Sequence, residues 1–236
     1  MKSPRAPAAP RNAASGPAPR NAASAPDAAP RKPRGRPRSF DREAALDAAM
    51  EVFWRKGYEA TSISDLTDAM GINPPSLYAA FGDKEQLFMA AIERYSEERG
   101  ESCPYACEPT ARGAIQRLLT YMAHELTGGD HPRGCMMMMA AATSANASEV
   151  MQKALAAKRA AGRESIKGRI RQGMKEGDVP AGTDAAALAD FFSTVVAGMS
   201  KQARDGASRK SLLATVENAM LAFPAVVAKK RSLAAA

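Results

Sequence analysis

The stretch GINPPSLYAAF, residues 71–81, sets two prolines at the head of an apolar-spaced segment barely two turns long. A helix of this size does not hold itself together, since isolated helices below about 12 residues are marginal in water. Its neighbours must hold it. Gly71 can take the left-handed conformation that ends a preceding helix, with Ile72 tucked back onto that helix, and the next helix begins within two or three residues: a tight helix-turn-helix corner. Proline in a first turn wastes no hydrogen bond, because the donors it lacks have no partner there. A residue before proline avoids the helical region, which favours Pro74 as the cap and Pro75 as the first helical residue, with the boundary open by one. Leu77 and Phe81, one turn apart, are the inward feet. Pro75, Ser76, Tyr78 and Ala79 face outward.

The flanks supply the platform. In RSFDREAALDAAMEVFWRKGYEATS, residues 38–62, Asp41 caps a helix with Glu43 in its first turn, Leu46, Met50, Phe53 and Trp54 on one stripe, and Gly57 as its stop. Ser62 and Asp65 stand at capping-box spacing, followed by Ile63, Leu66 and Met70, so a second helix of nine residues at most ends at Gly71. Gly82 ends the third. Asp83 with Gln86 caps a fourth, whose buried side carries Leu87, Phe88, Ala91, Ile92 and Tyr95, with Lys84 in its first turn pointing away.

Beyond this platform, residues 39–95, a linker is expected at 96–109, including the Pro-bearing GESCPYACEP of residues 100–109. A larger helical domain follows at 110–227. Ile115, Leu118, Leu119, Met122 and Leu126 stripe one helix over about 110–127, which GGDHPRG breaks. CMMMMAAATSA, from Cys135, begins a short, almost wholly apolar helix, which implies burial on all sides. A long helix at 148–176 turns Met151, Leu155, Ile166, Ile170 and Met174 inward and its Lys and Arg residues, Lys158, Arg159 and Arg163 among them, toward solvent. Leu188, Phe191, Phe192, Val195, Val196 and Met199 keep helical spacing, and so do Leu212, Val216, Met220 and Phe223. Residues 228–236 form a C-terminal tail. No strand-like alternation bounded by turns occurs anywhere, so the fold class is all-α.

The formal charge of +8 is unevenly placed. Residues 1–38 hold nine basic residues and one acidic one, and the rest of the chain balances 24 against 24. That Pro-, Ala-, Ser- and Arg-rich segment repeats APRNAAS and has little to bury, so disorder is expected. No signal-peptide core or run of about 18 apolar residues is present, and three cysteines suit a reducing compartment. A cytoplasmic protein with no membrane association is the expectation.

A helix that projects small residues beyond a helical platform suits the major groove, where bulky neighbours would prevent close approach. Ser76 and Tyr78 can donate to phosphates or base edges, Pro75 and Ala79 can touch a thymine methyl, Ser62 can offer phosphate its hydroxyl and backbone N–H groups, and Lys84 can pin a further phosphate. The alternative is plain packing within a bundle. RKPRGRPR, residues 31–38, contains Arg34-Gly35-Arg36-Pro37, which resembles the core of an AT-hook and would lay Arg34 and Arg36 in a narrow minor groove; otherwise it attracts phosphate without reading sequence.

FDREAALDAAMEVFWRKGYEATSISDLTDAMGINPPSLYAAFGDKEQLFMAAIERY, residues 40–95, resembles the DNA-binding domain of TetR-family transcriptional regulators through Phe53, Gly57, Thr61, Ser62, Ile63, Leu66, Gly71, Leu77, Tyr78, Phe81 and Lys84. The resemblance implies that Thr61 joins the DNA-facing set. It also implies a homodimer reading a near-palindromic operator of double-stranded DNA, a repressor that lets go when a small-molecule effector enters the second domain. Leu188, Phe192, Val195, Val196, Met199, Leu212, Val216 and Met220 would then pair with their symmetry mates, or else form an intramolecular core, or both if the stripes are wide. The basic segment is longer than the family's usual arm, and Ala79-Ala80 leaves the third helix few hydrogen-bonding groups.

For the effector, Met136, Met138 and Met139, with Met122 and Phe191, suit an adaptable apolar pocket, although core filling explains them equally. Cys135 follows Gly134 at a helix start beside Arg133, a setting that promotes thiolate chemistry and electrophile or redox sensing; the alternative is an inert buried thiol. Cys103 and Cys107 with His124 and His131 make too weak a pattern for a metal site, and no cofactor is implied. Phosphate-cradling and nucleophile-elbow motifs are absent and the chain has only two histidines, so no enzyme is expected. A non-specific architectural DNA-binding protein using the basic tail is the alternative from another class.

Overall fold

The computed structural model describes residues 40–101, 107–142 and 148–225. Arg34, Arg36 and the rest of the basic segment, Cys103 and the C-terminal tail therefore lie outside the described residues. Every regular element among the described residues is a helix: α1 (Arg42–Lys56), α2 (Ile63–Met70), α3 (Pro74–Phe81), α4 (Lys84–Glu101), α5 (Ala111–Glu125), α6 (Met136–Ala142), α7 (Glu149–Glu176), α8 (Ala185–Arg204) and α9 (Arg209–Met220). None is long and apolar enough to cross a membrane.

The caps set the platform. The Asp41 carboxylate accepts from the N–H groups of Glu43 and Ala44, and Ser62 and Asp65 form a reciprocal capping box at the head of α2. Gly71 ends α2 in the left-handed conformation at φ +64°, which a side chain rarely adopts, and Ile72 sends its N–H back to the Thr67 carbonyl. The cap of α3 is Asn73, not Pro74. Its side chain accepts the Ser76 N–H, and the extended backbone (ψ 159°) that Pro74 imposes on it is the conformation an N-cap needs. Pro74 and Pro75 then fill the first two helical positions. Asp83 and Gln86 exchange side chain to backbone bonds at the head of α4 (2.8 and 3.1 Å).

α1 packs on α2 and α4, and α3 stands on α2 and α4. The footing of α3 is Leu77 and Phe81, both buried, beneath a core in which the Phe53 and Phe88 rings meet edge to face at 5.0 Å. The expected linker from residue 96 is not observed where α4 continues to Glu101. SEERGE holds no proline, its Gly100 falls in the last turn, and Arg94 and Glu98 pair one turn apart at 3.1 Å. The short α6 lies at the centre, against α1, α4, α7 and α8, with Met136 and Ala140 buried.

The stripes on α8 and α9 close inward on the chain's own core. Phe192, Val196, Met199, Leu212, Val216 and Met220 are all buried within the single chain, and Leu188 and Val195 half so. For the six buried side chains the expectation of symmetry-mate contacts is corrected to intramolecular packing, because α5 and α7 cover them: α8 lies along α7, and α9 along α5, while Leu188 and Val195 stay partly open. The large apolar side chains left exposed on this side are Phe191 and Leu221.

Asp65 ties two helices together. Its carboxylate takes a 2.6 Å bond from Lys56 on α1 and closes the α2 capping box, and these bonds, that from Lys56 foremost, lower its pKa from 3.8 to about 2. A depressed carboxylate pKa stabilises the fold fully above its unfolded value, and the contribution is lost as pH falls through the folded value. Asp65→Asn should therefore melt below the wild type at neutral pH, with the two thermal unfolding midpoints converging between pH 3.8 and about 2.

Candidate functional site

The outward side of α3 is uncharged. Tyr78 is 49% exposed, Pro74, Pro75 and Ala79 are exposed, and Ser76 is half-buried beside its cap. Ser62, exposed at the head of α2, accepts the Asp65 N–H through its hydroxyl oxygen at 3.0 Å, which leaves its proton free to donate. Thr61 is a correction. It is 1% exposed and its hydroxyl donates to the Gly57 carbonyl at 2.6 Å, so it braces the α1–α2 turn and does not reach a phosphate. Lys84 lies with its ammonium 4.5 Å from the centroid of the Tyr58 ring, and desolvation holds its pKa below the ordinary lysine value. Tyr58 was not singled out from the sequence; only its place just past the Gly57 stop hinted at it. Arg42 sits 4.6 Å over the Phe81 ring, under the end of α3.

A concavity lies among α4, α5, α6, α7 and α8, a cavity of about 350 Å³. Leu118, Met122, Leu126, Met137, Met138, Ile166 and Val196 give it an apolar wall; Tyr95, Tyr121, Glu125, Cys135, Lys158, Arg159, Arg163 and Ser193 give it polar groups. Of the expected effector residues, Met122, Cys135 and Met138 line it. Three are corrected: Met136 is 2% exposed and packs in the core below, Met139 does not reach the cavity, and Phe191 is 40% exposed on the outer face of α8. The outward reading of α7 is corrected for Lys158 and Arg159, which stand half-buried in the wall, while Arg163 borders the cavity and stays exposed. The signal for Arg159 was in the sequence: it stands four residues past Leu155 in the inward series Met151, Leu155.

The helical platform and the cavity share a seam. Trp54 of α1 donates its indole N–H to the Gly134 carbonyl at 3.1 Å and stacks on His131 at 4.8 Å. Tyr95 of α4 meets Trp54 edge to face and donates its hydroxyl to Cys135 Sγ at 3.3 Å. Cys135 is buried, and its N–H donates to Ser200 Oγ at 2.8 Å. The Arg133 guanidinium is engaged with the Ala207 carbonyl. Gly134 is at φ +84°, and a Cβ there would sit 3.0 Å from the Ser200 carbonyl oxygen, so the turn is closed to larger residues.

Comparison with known proteins bears on both halves. Residues 45–91 match the model of bacterial regulatory proteins of the tetR family, and residues 112–219 match the tetracyclin repressor-like C-terminal domain. The chain is 35% identical over 200 residues to the HTH-type transcriptional repressor ComR of Escherichia coli K12, an alignment spanning 84% of this chain and 95% of that protein. The chain belongs to the TetR family.

Among other TetR-family relatives, the HTH-type transcriptional repressor BdcR of Escherichia coli K12 is 33% identical over 187 residues, covering 77% of this chain and 88% of BdcR. A cysteine mutant of the TetR family transcriptional regulator CifR, solved with 26 bp double-strand operator DNA, superposes with a TM-score of 0.77 at 44% identity, over 80% of this chain and all of that one. The chain is thus a TetR-like DNA-binding transcriptional regulator, with an N-terminal helix-turn-helix and a C-terminal helical domain.

The reassignment of Thr61 is open to measurement. Thr61→Val removes one buried hydrogen bond and should cost about 1–2 kcal/mol in denaturant unfolding. Affinity for DNA at fixed salt should stay at the wild-type value, since no phosphate contact is lost.

Proposed function

We propose that the chain is a dimeric repressor acting in the cytoplasm, which grips a near-palindromic operator through α3 and releases it when a small molecule enters the cavity beside Cys135. One observation carries the DNA reading: α3 buries Leu77 and Phe81 and turns Pro75, Ser76, Tyr78 and Ala79 to solvent on a helix of eight residues. Small outward groups admit close approach to base edges, with Ser62 and Lys84 on either flank for phosphates. Without a charge on α3, the electrostatic attraction must come from other parts of the chain, and the basic charge of the segment containing Arg34 and Arg36 is the natural source. The repressor sign follows ComR and BdcR, which are named as repressors.

A two-fold dimer would set its recognition helices about 34–36 Å apart, matching successive major grooves. The surface that suits a second copy is the outer side of α8 and α9. Phe191 and Leu221 are exposed there, and Ala187, Thr194 and Gly198 continue the Phe191 side of α8 at helical spacing. Release is supported by the seam: a ligand that displaces Cys135 or Tyr95 also disturbs the Trp54 to Gly134 bond, and with it the seating of α1 under the platform.

Genomic fragments selected by the purified protein should contain a near-palindrome, bound far more tightly than scrambled duplex. Tyr78→Ala should weaken that preference by about tenfold or more, the worth of a base-edge contact. Equal binding of selected and scrambled DNA would end the reading.

A second reading of the release step is favoured by the place of the Cys135 thiol in the cavity wall. Addition to an electrophile such as p-benzoquinone would form an S–C bond, with the ring electrons moving onto a quinone oxygen that takes the thiol proton. Cys135→Ser should bind the operator as the wild type does yet stay bound when benzoquinone is added. Equal release from both proteins would reject it.

A further inference from the structure

We infer that the cavity is built for a small organic monoanion, a carboxylate on an apolar body, with its charged end held by Arg159 and Ser193. The inference deepens the effector site proposed above and rests on that reading for its biological meaning. Arg159 Nη1 is buried and has no hydrogen-bond partner among the described residues, and Ser193 Oγ is in the same state. Both line the cavity. A guanidinium N–H and a hydroxyl buried without a protein partner are costly, and the cost is recovered when an acceptor arrives.

Ser193 is the sharper sign. A serine or threonine inside a helix ordinarily turns its hydroxyl onto the carbonyl four residues back, as the adjacent Thr194 does with Asp190 at 2.8 Å. Ser193 forgoes that bond.

The other cationic groups of the wall are already matched. Lys158 pairs with Glu93 and Arg163 with Asp190 at 3.4 Å, while the wall's carboxylate, Glu125, lies 3.9 Å from His131. Arg159 has no salt-bridge partner among the described residues, which fits one negative charge rather than two. A carboxylate can accept from the guanidinium through one oxygen and from the hydroxyl through the other, a charge-assisted pairing. Leu118, Met122, Leu126, Met138 and Ile166 then enclose the rest of the ligand, in a volume within the about 300–1,000 Å³ usual for small-molecule sites.

Calorimetric titration of the full-length protein with octanoate, octanol and octylamine tests the assignment. Octanoate should bind about tenfold or more tightly than octanol, and octylamine most weakly. Arg159→Met should bring octanoate to the level of octanol without weakening octanol, and Ser193→Ala, which removes only one oxygen, should lose part of the same preference. Absence of octanoate binding at millimolar concentration, parity with octanol in the wild type, or a preference that survives both variants would overturn the inference. Operator binding followed in the same samples separates the two readings. Arg159-dependent octanoate binding with the operator still held sustains the carboxylate site and removes ligand-driven release.

Discussion

Leu77 and Phe81 are the footing on which the DNA-facing half of the molecule depends. An eight-residue helix is far below the length at which it persists alone, so its existence is a tertiary fact: it forms because α1, α2 and α4 offer a dry surface under two of its side chains. The other economies serve that footing. Asn73 supplies an acceptor where Pro74 and Pro75 have removed donors, and Asp65 binds α2 to α1 through Lys56, fixing the angle of the corner. What remains to face outward is then free of structural duty.

The α3 side was legible because it is written in local chemistry. Caps, a left-handed glycine and prolines at a helix head have fixed physical meanings at fixed offsets, and a two-residue foot is readable from spacing. The cap of α3 falls at Asn73, one residue before the expected Pro74, because the pre-proline restriction forbids Asn73 a helical backbone and thereby makes it the cap. Thr61 was misassigned for a related reason, since spacing alone does not say whether a hydroxyl turns toward solvent or toward the carbonyl four residues back.

The cavity was less legible because its walls come from five helices whose meeting is not a local property. The stripes of Phe192, Val196, Met199, Leu212 and Val216 read equally well as a seam between copies or as packing within one chain, and α5 and α7 turned out to cover them. Arg159 occupies the inward register of α7, four residues past Leu155, although arginine is usually a surface residue. A charged residue at a register position reserved for Leu or Ile was the more informative observation.

The unbroken course of α4 has a mechanical consequence. A helix is stiff along its axis, and Tyr95, which touches both Trp54 and Cys135, lies roughly 16 Å along it from Lys84 at about 1.5 Å per residue. The end that carries Lys84 abuts α3. A small tilt imposed at the Tyr95 turn is thus delivered to the opposite end as sideways travel, with no joint in between to absorb it. In a symmetric pair the two displacements add, and the gap between grooved footprints changes by twice what either rod moves.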